Sequence, residues 1–291
     1  MRVYKTWSMS FFYILGHCAF ADSPPIRPDG SAHFLYINKS QMPDNEVFLQ
    51  IFGVNPHSGK QCFIQYDEQG YPSYHDVENQ VISQLFSYPL TYFPASSLQE
   101  GRSFYLPILD GARIFTSIEQ KLSLLVSKND QGVWTISSPD PLNPSDPNRG
   151  FLWDKTEFAV NQSVVFINPT AVDSFCLTLH CQEQGRDGTS QVGGLLESRK
   201  MIFDSLKTSF AQAGSYWPQL VSENPSLVYS PMYGADTQLI PQNIFVSSGW
   251  IDAFKTLFSN TPLMIDAEES IPVDKGGGVW LGLLTVSLEV N

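Results

Sequence analysis

Positive charge is scarce in this 291-residue chain: 17 lysines and arginines stand against 29 acids, a formal net charge of −12. Arg2 and Lys5 lie in the first 21 residues, which hold no acid, so the remainder carries 15 bases against 29 acids, a charge of −14. Such a surface repels phosphate backbones and anionic lipid, so nucleic acid is not expected as a partner, while a neutral polymer is tolerated. Cysteine is rarer still. Of four, only Cys62, Cys176 and Cys181 lie beyond residue 21, an odd number with no zinc spacing. Cys176 and Cys181 would face opposite sides of one straight strand and could not bridge. Buried thiols are expected, with one disulfide to Cys62 as the alternative. The histidines beyond residue 21 (His33, His57, His75 and His180) are scattered, so neither a metal nor a cofactor is expected. There is no Gly-x-Ser-x-Gly elbow, no phosphate-binding loop and no dinucleotide fingerprint between a strand and a helix. No run approaches the ~20 apolar residues of a spanning helix.

What is present begins with an export signature. Arg2 and Lys5 precede an apolar run from Ser8 to Phe20, and Ala19-Phe20-Ala21 follows the small-x-small rule. Cleavage is expected between Ala21 and Asp22, giving a secreted protein, extracellular or periplasmic, with no membrane contact afterwards. A monomer is expected.

From residue 26 to about residue 179 the chain reads as short strands between turns. Stretches 33–38, 47–53, 61–66, 104–109, 112–117, 122–127, 133–137 and 164–168 are rich in β-branched and aromatic residues. Asn55-Pro56-His57-Ser58-Gly59, Asp67-Glu68-Gln69-Gly70 and Asn129-Asp130-Gln131-Gly132 punctuate them. Asp110-Gly111 reads as a two-residue hairpin turn. This pattern implies an antiparallel sandwich or barrel. The period then changes. Residues 196–212 carry Met201, Ile202, Leu206 and Phe210 at helical spacing with Gly214 as a stop, and 252–258 read as a second short helix. Segments 226–229 and 240–246 follow as strands or irregular pieces, and 279–290 as a closing strand. The expected organisation is a signal peptide over 1–21, a β-sandwich over 22–194 and a smaller mixed α/β portion over 195–291.

The chemistry concentrates between Asp140 and Leu179. A proline-rich loop, 141–148, leads into Trp153-Asp154-Lys155-Thr156-Glu157-Phe158, then Asn161, Phe166, Asn168, Thr170 and Asp173. Glycoside hydrolysis needs one carboxyl held protonated to donate to the leaving oxygen and one ionised to activate water or attack carbon. Glu157, with Trp153 and Phe158 as apolar neighbours, and Asp173 supply such a pair. Asn168 and Thr170 are placed to hydrogen-bond sugar hydroxyls. A turn at Asn161-Gln162-Ser163 would set Glu157 opposite Ile167. Straight strands would then leave the carboxyls more than about 12 Å apart, beyond the range of an inverting pair. A bend at Asn168-Pro169 is therefore required. Arg113 is expected to pair with Asp110 in the hairpin, with lining the cleft as the alternative. Tyr216 and Trp217 read as core aromatics or a sugar platform. Asn38-Lys39-Ser40 and Asn161-Gln162-Ser163 are glycosylation triplets.

Glu157-Phe158-x-x-Asn161 followed by Asn168-x-Thr170-x-Val172-Asp173 resembles the signature of glycoside hydrolase family 64, the laminaripentaose-producing β-1,3-glucanases. Leu106-Pro107, Gly111-x-Arg113-Ile114-Phe115-x-Ser117, Asp146-Pro147-Asn148, Trp217-Pro218-x-Leu220 and Ser230-Pro231 add to the resemblance. It implies a thaumatin-like β-domain and an inverting endo-hydrolase acting on β-1,3-glucan. Glu157 would be the general acid and Asp173 the general base, with Asn161, Phe166, Asn168 and Thr170 contacting sugar. Ala159 stands where the family has threonine and Phe166 where it has tryptophan, and the chain stops at Asn291, short of the family's usual length. The alternative on the same scaffold is a glucan-binding protein with little or no activity.

Overall fold

In a computed structural model, residues 31–97, 100–160, 165–169, 173–184, 190–213, 216–223, 226–230, 238–241 and 281–287 are described. The segment 1–21, the second helix expected at 252–258 and most of 240–246 lie outside them. The strands follow in chain order. β1 (Ala32–Lys39), β2 (Val47–Val54), β3 (Gln61–Tyr66), β4 (Pro72–Asp76), β5 (Ser87–Pro89) and β6 (Arg102–Leu106) come first. β7 (Leu109–Ile118), β8 (Leu125–Lys128), β9 (Trp134–Ser137), β10 (Trp153–Val160) and β11 (Val165–Asn168) follow. β12 (Ser174–Phe175), β13 (Thr178–Gln184) and β14 (Ser190–Gly194) precede helix α1 (Arg199–Ala213). β15 (Val221–Glu223), β16 (Ser226–Tyr229) and β17 (Leu281–Ser287) complete the set.

Two sheets face each other, in the orders β14-β13-β17-β1-β6 and β11-β10-β7-β2-β3-β4, with β5 added beside β2. Among the described residues all the strand pairings are antiparallel except β1 with β17. Alternation decides what lies between the sheets. Phe34 and Tyr36 of β1 and Phe104 and Leu106 of β6 meet Leu49, Ile51, Ile64, Ile114, Phe158 and Val160 from the other sheet in one buried core. The expected mainly antiparallel β architecture is present.

Two expectations change. Asp110 and Gly111 do not turn a hairpin: β6 belongs to the first sheet and β7 to the second, and the chain crosses between them at Pro107 and Ile108. Gly111, at φ +52°, instead sits in a bulge of β7 where the register shifts against both β2 and β10. Nor do the sheets follow the expected division at residue 194. β17 lies in the interior of the first sheet, hydrogen-bonded to β1 on one side and β13 on the other. A strand inserted in that position needs two free strand edges, and those edges exist only once the rest of the sheet is in place. α1 matches the helical period.

The second sheet's outer face is covered over only part of its width. Phe52, Phe63 and Phe115 on that face pack beneath Val126 and Ile136 of the β8–β9 hairpin, with Phe86, Leu122 and Leu124, in a separate core. Gln50 Nε2 donates to Ser83 O at 2.7 Å and Leu124 N to Ser83 Oγ at 2.7 Å, pinning this cover to β2. The cover ends at Ser138, whose Oγ accepts from Arg113 Nη1 at 3.0 Å. Beyond Arg113 none of the described residues of this cover continues over the face.

Candidate active site

The open part of the face is built by β7, β10 and β11. Along β10 the even residues Asp154, Thr156, Phe158 and Val160 are buried, while Trp153, Lys155, Glu157 and Ala159 point outward. Glu157 lies opposite Arg113 on β7 and Asn168 on β11, and Ala159 lies opposite Phe166. Residues directly opposite in an antiparallel pair share a face. Glu157, Asn168, Arg113 and Phe166 therefore line one trough, with Phe166 52% exposed.

The register differs by one from the expectation that put Glu157 opposite Ile167, because Val160 pairs with Val165 across a four-residue connection. That step matters: it turns Asn168 and Phe166, rather than Ile167, toward Glu157. Phe158 cannot shield Glu157, since it points into the core, and Trp153 packs tilted against Phe115, with ring centroids 5.9 Å apart. The aromatic neighbour of Glu157 is Phe166, diagonally across the strand pair. Asn161 and Thr170 lie outside the described residues.

β11 stops at Asn168, and Asp173 stands in a bend just before β12, which belongs to a different sheet paired with β16. The expected bend at Asn168-Pro169 runs into residues 170–172, which lie outside the described residues; Asp173 itself comes back within reach of β10. Lys155 Nζ contacts Asp173 Oδ2 at 2.9 Å and Glu157 Oε1 at 3.9 Å. The two legs together, about 6.8 Å, are an upper bound on the distance between those carboxylate oxygens. Lys155 is only 12% exposed, Glu157 37% and Asp173 49%. Arg113 Nε reaches Glu157 Oε1 at 3.4 Å while its guanidinium lies 5.9 Å from the Phe52 ring. Arg113 therefore lines the trough, and its ion-pair partner is Glu157, not Asp110. Two acids and two bases share one trough.

Asp154, on the buried side of the same strand, was singled out by no motif. Its Oδ2 accepts from Cys176 N at 2.9 Å and Leu177 N at 3.0 Å, and its Oδ1 from Lys155 N at 2.8 Å. Burial nonetheless pushes its pKa up to about 6. Arg199 Nε, at the start of α1, donates to Cys176 O at 2.6 Å. The proline-rich loop 140–148 is ordered by its own side chains: Asp140, Asn143 and Asp146 each accept from the backbone N–H two residues on.

A family model described as Beta-1,3-glucanase, glycoside hydrolase family 64, matches residues 33–286. The chain belongs to glycoside hydrolase family 64. Glucan endo-1,3-beta-glucosidases of Arthrobacter sp. (strain YCWD3) and Cellulosimicrobium cellulans are each 30% identical to it over 155 residues. That match covers 52% of this chain but 26% of each relative. Among solved structures, a family 64 β-1,3-glucanase domain from Clostridium beijerinckii superposes with TM-score 0.62 at 20% identity, covering 89% of this chain and 70% of that one. A laminaripentaose-producing β-1,3-glucanase solved with laminaritetraose gives TM-score 0.62 at 24% identity, covering 80% and 61%. These establish a shared fold.

The remaining signals resolve within the family 64 scaffold. Cys62, Cys176 and Cys181 are buried thiols, and burial pushes those of Cys62 and Cys176 up to about 12. Trp217 packs against Phe210 at 5.7 Å, whereas Tyr216 is largely exposed. The Asn38 amide donates to Met42 O and Asp44 Oδ1, closing a turn. Among the described residues no helix is long and apolar enough to cross a membrane, and no group of three or more His, Cys, Asp or Glu is placed to hold a metal.

Proposed function

We propose that this chain is an exported endo-β-1,3-glucan hydrolase that works by inversion with Glu157 and Asp173. The observation that carries the reading is the shared contact of both carboxylates with Lys155 at the open edge of the sheet. Inverting pairs stand ~6.5–9.5 Å apart so that a water fits between base and sugar; the upper bound of about 6.8 Å on the two oxygens nearest Lys155 meets only the short end of that interval. Glu157 protonates the leaving glycosidic oxygen. Asp173 takes a proton from water, which attacks the anomeric carbon from the opposite side.

Phe166 offers a face for a sugar ring without the indole N–H of a tryptophan. Asn168, with Asn161 and Thr170, would serve the hydroxyls. The two-sheet body is read as the thaumatin-like domain of the family, residues 1–21 as its export signal, and the mature protein as a secreted monomer.

The test is reducing-sugar release from laminarin. Wild type should release oligosaccharides with inverted anomeric configuration, observed by proton NMR at early times. Glu157→Gln and Asp173→Asn should each lose at least ~10²-fold in kcat, the lower end of what one general acid or base supplies. Full activity in either variant would refute the assignment. Retention on insoluble β-1,3-glucan without release by wild type would leave a binding protein.

A further inference from the structure

We propose that Asp154 is the positioning residue for Asp173: its buried carboxylate ties the backbone at residues 176 and 177 to the strand that carries Glu157, and so sets where the second carboxylate stands. The inference rests on the glucanase reading above.

The segment from Asp173 to Leu177 belongs to neither large sheet. Ser174 and Phe175 pair with Tyr229 and Val228, and Ser230 N donates to Asp173 O at 2.9 Å. These contacts hold the segment to β16, and Thr178, next in the chain, opens β13 of the first sheet; neither contact is to β10. Two consecutive residues of β10 close that gap from opposite faces. Lys155 reaches outward to the Asp173 side chain at 2.9 Å. Asp154 reaches inward, where one oxygen, Oδ2, receives two consecutive amides at 2.9 and 3.0 Å. Such paired donation to a single carboxylate oxygen fixes the backbone more tightly than one bond does. The tie lies three and four residues beyond Asp173, too close in the chain for its position to drift.

A role in stability alone is a poor account of this arrangement. Ionising a carboxyl that is 5% exposed is costly, and burial raises its pKa despite three N–H donors. A neutral acceptor would hold a loop in place at lower cost. An ionised oxygen is warranted where the geometry it imposes has to be strict, and a misplacement of about 1 Å in a catalytic group costs ~10²-fold.

Asp154→Ala and Asp154→Asn, each checked for folding by near-UV circular dichroism, would be assayed on laminarin beside wild type, Glu157→Gln and Asp173→Asn. Hydrogen exchange of the peptide covering residues 173–177 would be followed in the same proteins. For Asp154→Ala we expect kcat to fall about 10²-fold, KM to stay within about twofold and exchange in 173–177 to quicken while β2 and β7 stay protected. Asp154→Asn, which keeps one acceptor oxygen, should lose less, and it carries the test if the alanine variant does not fold. A folded variant with wild-type kcat overturns the proposal, as does unchanged exchange in 173–177. So does activity that drops only in proportion to the folded fraction. If wild type releases no sugar, or Glu157→Gln keeps its activity, the glucanase reading falls and this one with it. Inactive controls beside fully active Asp154 variants would sink this inference alone.

Discussion

Glu157 is held between two cations, Arg113 at 3.4 Å and Lys155 at 3.9 Å, with Asn168 across the strand pair. A strand period of two is what puts them together: 113, 155, 157 and 168 come to one face because their strands pair in that register. The same parity explains why Phe158, adjacent in sequence, contributes nothing to the trough. Phe166 lies diagonally from Glu157 on the face where the proposed glucan would run, and 52% of it is exposed. Phe166→Ala should therefore raise KM for laminarin by roughly tenfold, the 1–3 kcal/mol typical of a lost stacking partner, with kcat and melting temperature little changed. A drop in melting temperature with unaltered KM would place Phe166 in packing instead.

Among the elements, β14 shows how the site depends on strands that carry none of its chemistry. Gly194 ends β14 at φ +94°, and a Cβ there would meet Leu179 O at 2.2 Å and Pro169 Cγ at 2.9 Å. Pro169 is the residue after Asn168, where the chain leaves the trough strand. Gly194→Ala should cost ~1–3 kcal/mol through the strained φ alone, read as a lower midpoint in urea, and it should perturb activity by displacing Pro169. A midpoint equal to wild type would show that β14 is not needed to hold that turn. The strands themselves were legible: 61–66 and 226–229 match β3 and β16 residue for residue, and the helix is offset by only a few residues. The Asp110-Gly111 turn was misread because a positive-φ glycine serves a bulge as well as a hairpin. Two-residue β12, paired among the described residues with β16 alone, has no sequence pattern at all.

For the molecule as a whole, Asp154 couples the site to the stability of the fold. Its folded pKa, about 6, lies above the ordinary carboxyl value of 3.8 because burial disfavours the charge. The native state therefore binds this proton more tightly than the unfolded chain does. The stability that follows is present in full below about pH 3.8 and is lost as the pH rises through about 6. The shift of about two pH units corresponds to ~3 kcal/mol. The difference in unfolding free energy between wild type and Asp154→Asn, measured by urea titration from pH 4 to pH 7.5, should move against wild type by an amount of that order. A flat difference would mean that Asp154 titrates normally. Taking the difference cancels the opposing contributions of Asp76 and Asp204, whose pKa values are lowered by hydrogen-bonding partners.

The strand-rich body and the family can be read from the chain alone, as can Glu157 and Asp173 as candidates, because alternation, turn chemistry and a local motif are properties of neighbouring residues. It takes the folded chain to show that Lys155 stands between those carboxylates, that Arg113 faces Glu157 rather than Asp110, and that β17 joins a sheet begun some 250 residues earlier. Each of these is a meeting across a strand pair or between sheets. Such meetings depend on register and layer order, which no window of sequence contains.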